Sequence, residues 1–175
     1  MREEAPHTFL LADISGYSLL TELEGDEFAA ELALWFAEEV AEMAEEHGAE
    51  LVKRMGDAVL VRTPDAAAAI ELAMRLARGE RALPSMHVGV HSGPALERDG
   101  EWWGATVNVT ARVADAAEDG QVLVTEAAVR AAGEQGQAGL RAFGPLKLKN
   151  VTDPVWVHSA EPARYGRLRL VPAAA

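Results

Sequence analysis

The strongest constraint on how this chain can fold is a change of period at Gly48. Before it, from about Asp26 to His47, Phe28, Leu32, Trp35, Phe36, Val40 and Met43 recur at the spacing of one helix face. After it come two short β-prone runs, Ala49 to Met55 and Ala58 to Arg62, separated only by Gly56-Asp57. A two-residue connection with glycine first suits a type II′ turn, so the runs are expected to pair as a hairpin. A second helical stretch, Asp65 to Arg78, is rich in Ala, Leu and Met and leads to an apolar strand over Met86 to His91. The expected class is therefore α+β, with helices on one face of a mostly antiparallel sheet.

The remaining segments fit that scheme. His7 to Ala12 reads as a strand that stops at Asp13, and Ser15-Gly16 turns the chain into a helix. Glu31, Glu38, Glu42, Glu45 and Glu46 lie opposite the apolar face of the first long helix and read as its solvated side. Ser92-Gly93-Pro94 breaks the central strand, and Ala95 to Arg98 leads to the turn Asp99-Gly100. Val107 to Ala117 has helical spacing, Gln121 to Thr125 is a short strand and Glu126 to Ala132 a short helix. Leu140 to Leu148 and Val155 to Ser159 are expected to close the sheet across the Asn150–Pro154 turn. The tail from Pro162 places Arg164, Arg167 and Arg169 around Tyr165. One domain over residues 1–175 is expected, with a tail from 160 onward.

Composition narrows the function classes. The 175 residues contain no cysteine, which removes disulfides, thiol catalysis and zinc–thiolate sites. No apolar run reaches the roughly 18 residues of a membrane span, and the start lacks the apolar core of a signal peptide. A cytoplasmic location is expected. The formal charge of −12 disfavours nucleic acid and anionic membranes as partners. An anionic substrate would need local cations, from side chains or bound metal.

Four constellations can carry chemistry. In Ala12-Asp13-Ile14-Ser15-Gly16-Tyr17-Ser18 an acid at a strand end precedes a glycine turn. Such a carboxylate can hold a hard cation, and the free N–H groups of Gly16, Tyr17 and Ser18 can cradle phosphate; a turn-forming aspartate is the plainer alternative. Lys53-Arg54-Met55-Gly56-Asp57 puts a second acid at a hairpin tip. If the two strands are neighbours, Asp13 and Asp57 converge, and two carboxylates sharing cations are the minimum for two-metal phosphoryl chemistry. Asn108 and Arg112 stand four apart on one helix face, able to present an amide and a guanidinium to a sugar phosphate, or simply to face solvent. In Leu146-Lys147-Leu148-Lys149-Asn150, strand alternation places both lysines on one side, where they either meet phosphate or guard a sheet edge. His91 reads as structural.

The order of these pieces resembles class III adenylate and guanylate cyclases. Phe9 to Tyr17 and Val52 to Leu60 resemble the two metal-aspartate motifs of that family. His87 to Pro94 resembles its central strand and Gly-Pro turn, and Trp103-Gly104 through Arg112 its ribose- and phosphate-binding helix. Gly120 to Thr125 and Leu148 to Val151 resemble later landmarks, so the likeness covers residues 8–158. It implies a ferredoxin-like βαββαβ core with an additional C-terminal helix and strands. It also implies a head-to-tail homodimer with shared active sites. Asp13, Asp57 and the Ile14 carbonyl would bind two Mg²⁺ or Mn²⁺ ions. Lys53 would recognise the base, Asn108 orient the ribose, Arg112 stabilise the transition state and Lys149 hold the outer phosphates.

Glu101 departs from the pattern, because adenylate cyclases usually carry Asp or Thr there. The Lys53/Glu101 pair can donate to adenine N1 and accept from its 6-amino group, and it also matches guanine or cytosine. ATP is the favoured substrate, converted to the 3′,5′-cyclic monophosphate and pyrophosphate. Two other readings stand beside this one: a cyclase-like domain that only binds nucleotide or a partner, and a diguanylate-cyclase-like enzyme. The second lacks its Gly-Gly-acid-acid-Phe turn, since the chain offers only Met55-Gly56-Asp57-Ala58.

Overall fold

A computed structural model describes residues 6–160. The arginine-bearing tail from Pro162 lies outside the described residues. In chain order the elements are β1 (His7–Ile14), α1 (Tyr17–Glu24), α2 (Asp26–Glu46), β2 (Glu50–Met55), β3 (Ala58–Thr63), α3 (Ala66–Ala77) and β4 (Met86–Gly93). They continue with β5 (Leu96–Arg98), β6 (Glu101–Trp103), α4 (Ala105–Asp115), β7 (Val122–Thr125), α5 (Glu126–Ala132), β8 (Arg141–Leu146) and β9 (Val155–Ala160).

Seven strands form one sheet in the order β2-β3-β1-β4-β7-β9-β8, and β5-β6 form a separate two-stranded sheet. The first four strands with α2 and α3 make the expected βαββαβ core. Every pairing in the large sheet is antiparallel except β4 with β7. At the β2–β3 tip Met55 pairs with Ala58, and Gly56 has φ 69° while Asp57 stays on the negative side, the sign pattern of a type II′ turn.

Alternation along β1 divides the core. Leu10, Ala12 and Ile14 point toward α2, α3 and α5, joining Phe36, Val40, Met43, Leu72 and Leu76 in one buried cluster. Each of the larger side chains here contributes about 1.5–3 kcal/mol through burial. Asp65 starts α3 by accepting from the Ala67 and Ala68 N–H groups at 2.9 and 3.1 Å, a cap worth about 1 kcal/mol.

The helices do not all share one face. Phe9 and Leu11 point the other way and pack with Ala114 of α4, while Val113 covers Leu123 and Val157 beside it. Gly89 permits this, because a Cβ there would lie 2.3 Å from the Ala114 amide nitrogen. The acidic side of α2 is also less free than its pattern implies. Arg81 donates to Glu39 and Glu42 at 3.1 and 2.8 Å and pairs with Glu46, tying α2 to the segment after α3.

Candidate active site

The strand end and the hairpin tip meet. The Ile14 N–H donates to the Asp57 carbonyl at 3.2 Å, and Asp13 stands in register with Ala58 on β3 and His87 on β4. Burial, reinforced by the facing Asp57 carboxylate, pushes the Asp13 carboxyl up from 3.8 to about 6. His87 pulls in the opposite direction. Asp13 Oδ1 is buried without a hydrogen-bond partner. An unpaired buried acceptor costs about 1–3 kcal/mol, and two facing carboxylates repel. Positive charge relieves both penalties, and an all-oxygen donor set suits a hard divalent cation.

Beside this pair the chain enters α1 through Gly16, whose φ of 70° turns it out of β1. Leu20 N–H bonds back to the Gly16 carbonyl at 3.0 Å, and no side chain caps this end. The N–H groups of Tyr17 and Ser18 in the first turn thus have no intrahelical acceptor, the arrangement that receives phosphate oxygens.

Lys53 and Glu101 come together from different sheets. A register shift between Leu51 and Lys53 against β3 re-aims the lysine, and its Nζ lies 3.4 Å from Glu101 Oε2 on β6. The two side chains are 48% and 51% exposed, so the pair adds at most about 1 kcal/mol to stability. What it offers is a donor and an acceptor side by side.

On α4, Asn108 and Arg112 occupy one face as expected, Asn108 exposed and Arg112 half-buried. Arg112 Nη1 is held by Asp115 Oδ2 at 2.8 Å. No hydrogen bond or ion pair among the described residues joins Asn108, Arg112 or Lys149 to Asp13 or Asp57. Lys149 corrects the strand expectation. β8 ends at Leu146, and Lys149 sits in a turn where Val151 N–H bonds to the Leu148 carbonyl at 3.3 Å and Asn150 has φ 63°. Lys147 and Lys149 therefore lie beyond the strand, both exposed and flanking buried Leu148. Buried Leu148 anchors the turn instead.

Three neighbours of the site were not evident from sequence. Asp115 was within reach of an i, i+3 argument from Arg112. The pairing of His87 with Asp13 required the β1–β4 register. Trp102, between Glu101 and Trp103, gives no sign of which way it faces until β6 is placed.

A sequence profile of the adenylate and guanylate cyclase catalytic domain matches residues 2–157. The chain belongs to that family. Similar to it are a pH-sensitive adenylate cyclase of Mycobacterium tuberculosis, 32% identical over 157 residues, and an adenylate cyclase of Streptomyces griseus, 33% identical over 130. Those alignments cover 85% and 73% of this chain but 38% and 33% of the relatives, so the chain spans about a third of their length. Among solved structures, an adenylate/guanylate cyclase/hydrolase from Silicibacter pomeroyi is 26% identical with a TM-score of 0.75, covering 90% of this chain and 97% of its own. An adenylate cyclase from Trypanosoma brucei, at 22% identity, shares the fold with a TM-score of 0.78 over 91% of this chain and 92% of its own. Cyclases of this family generally use Mg²⁺ or Mn²⁺. No helix among the described residues is long and apolar enough to cross a membrane.

Proposed function

We propose that residues 8–158 form one catalytic unit that closes ATP into 3′,5′-cyclic AMP and pyrophosphate. The observation that carries this reading is the meeting of Asp13 with Asp57, with Asp13 Oδ1 buried and unpartnered. Similarity to proteins named adenylate cyclases supports ATP as substrate.

Asp13, Asp57 and the Ile14 carbonyl would hold two Mg²⁺ or Mn²⁺ ions, which when bound supply Lewis acidity toward the ribose 3′-hydroxyl and the phosphates. The N–H groups of Gly16, Tyr17 and Ser18 cradle phosphate oxygens. Lys53 donates to adenine N1 and Glu101 accepts from the 6-amino group. Asn108 orients the ribose so that its 3′-oxygen faces the α-phosphorus. As the new P–O bond forms and the bond to the β-phosphate oxygen breaks, Arg112 neutralises charge on the equatorial oxygens. Lys149 holds the departing pyrophosphate, and the hydroxyl proton leaves to solvent.

That no hydrogen bond or ion pair among the described residues joins Asn108, Arg112 or Lys149 to the two aspartates supports a head-to-tail homodimer, with each site completed by the partner subunit. The decisive experiment incubates the protein with Mn²⁺ and, separately, ATP, GTP, CTP and UTP, and weighs the products. Cyclic AMP should dominate. Nucleotide binding without any cyclic product would reduce the chain to a binding module.

A further inference from the structure

We infer that Trp102 is a positioning residue for base selection, acting through Glu101 and itself held by Arg62. This rests on the proposed role of Glu101 and adds what fixes that carboxylate in place. The two-stranded sheet β5–β6 shares no backbone ladder with the seven-stranded sheet. Its placement beside Lys53 therefore depends on side chains. Along β6, Glu101 and Trp103 are exposed while Trp102 turns inward. Its indole meets the Phe9 ring edge-on at 5.6 Å and the His7 ring at 4.5 Å, and packs against the cluster of Phe9, Leu11 and Leu60.

The indole also carries a charge over its ring. The Arg62 guanidinium carbon lies 4.8 Å from the ring centroid, a cation–π contact. Arg62 is fixed from two sides: it donates from Nε and Nη2 to His7 Nδ1 at 3.1 and 2.6 Å, and from Nη1 to Glu50 at 3.4 Å. Trp102 is thus held by side chains from both β1 and β3. Its immediate neighbour on the strand carries the carboxylate that meets Lys53. Because Glu101 and Lys53 are both about half exposed, little else restrains where that carboxylate sits. The two residues are adjacent on β6, so a displacement of the strand at Trp102 carries the Glu101 backbone with it. A misplacement of about 1 Å is enough to change a rate by up to roughly 10²-fold.

The test measures kcat and KM for ATP and GTP in Trp102→Phe, Trp102→Ala, Arg62→Met and Glu101→Gln, with each variant's thermal midpoint. Arg62→Met keeps the apolar stem and removes the charge over the ring, so it probes the clamp if Trp102→Ala fails to fold. Trp102→Ala and Arg62→Met should move the ATP:GTP ratio of kcat/KM by roughly tenfold and threefold. Trp102→Phe should restore most of the discrimination. In a Glu101→Gln background neither change should move the ratio further. If Glu101→Gln shifts the ratio while Trp102 and Arg62 changes lower both substrates equally, the clamp is structural only and the inference is wrong. If Glu101→Gln leaves the ratio unmoved, or no triphosphate yields a cyclic product, the reading beneath it fails first.

Discussion

Asp13 and Asp57 face each other across the junction of β1 and the β2–β3 hairpin, and the Ile14 N–H binds the Asp57 backbone at 3.2 Å to hold them there. The backbone is committed to an arrangement that the two carboxylates oppose. A divalent cation reverses that opposition, so Mn²⁺ or Mg²⁺ with a triphosphate should raise the thermal midpoint by several degrees at millimolar concentration. Asp57→Asn should abolish turnover and most of this gain while leaving the unliganded midpoint equal or higher, because one of two repelling charges is gone. Full activity in Asp57→Asn would remove the metal role.

His91 provides a pH test away from the cations. It is half-buried on β4 beside Thr125, and its imidazole is pushed down from 6.5 to about 4 by desolvation. The Thr125 hydroxyl accepts from Ala128 N–H at 3.3 Å, leaving its own hydrogen for His91 Nδ1 at 2.8 Å, which suits a neutral ring. The unfolded chain therefore takes up the proton first as pH falls. His91 contributes stability fully above about pH 6.5, and this is lost as pH drops toward 4, by up to about 3 kcal/mol. Asp13 acts oppositely, since its raised carboxyl makes stability fall as pH rises from 3.8 to 6. The difference between wild type and His91→Gln isolates the histidine: urea midpoints should converge as pH falls from 7 to 4.5. Parallel curves would show that His91 is not the group responsible.

The contact of α4 with the sheet has its own test. A Cβ at Gly89 would lie 2.3 Å from the Ala114 nitrogen and 2.8 Å from the Thr110 carbonyl, backbone atoms that cannot turn aside. Gly89→Ala should cost about 3 kcal/mol and lift α4, and Asn108 and Arg112 with it. Turnover should fall by more than the unfolded fraction explains. A neutral Gly89→Ala would mean that α4 already rides higher than 2.3 Å implies.

The proposed base pocket rests on the Lys53–Glu101 pair at 3.4 Å. Lys53→Glu replaces a donor toward adenine N1 by an acceptor. Unpaired polar groups in a binding site cost about 1–3 kcal/mol, so kcat/KM for ATP should drop roughly tenfold or more relative to GTP. Glu101→Asp should raise ATP turnover if the extra methylene displaces the carboxylate. An unchanged ATP:GTP ratio in Lys53→Glu would remove this pair from base recognition.

What was legible in the sequence follows from where the information is local. The hairpin around Gly56-Asp57 and the helix after Asp65 are set by turn chemistry, capping and period, and both formed as read. The convergence of Asp13 with Asp57 needed only the assumption of neighbouring strands. Less was legible where tertiary packing decides. The side of the sheet chosen by α4 depends on Gly89, a missing side chain that period analysis does not weigh. Leu146-Lys147-Leu148-Lys149 alternates as a strand would, and Lys147 and Lys149 are indeed exposed beside buried Leu148, yet the ladder ends at Leu146 and the chain turns over Lys149-Asn150. Trp102 and Glu101 lie in a three-residue strand too short for any periodic signal.

The proposed division of the active site between two chains admits a test that few other arrangements pass. Arg112 is tied to Asp115 at 2.8 Å within its own helix and has no bond to Asp13 or Asp57 among the described residues. If the partner subunit's aspartates are its working partners, an Asp57→Ala homodimer lacks the metal carboxylate in both sites. An Arg112→Ala homodimer lacks the guanidinium in both, at a cost of about 10³-fold. In a mixed dimer one site collects both defects while the other receives an intact Asp57 and an intact Arg112. Random exchange at equal amounts makes about half the dimers mixed, each with one working site of two. Activity should therefore return toward about a quarter of wild type when the two inactive proteins are combined. Sites contained within one chain would give no recovery, whatever the stoichiometry. Confirmed subunit exchange with a mixture that stays inactive would place both residues in one protomer's site, or remove Arg112 from catalysis.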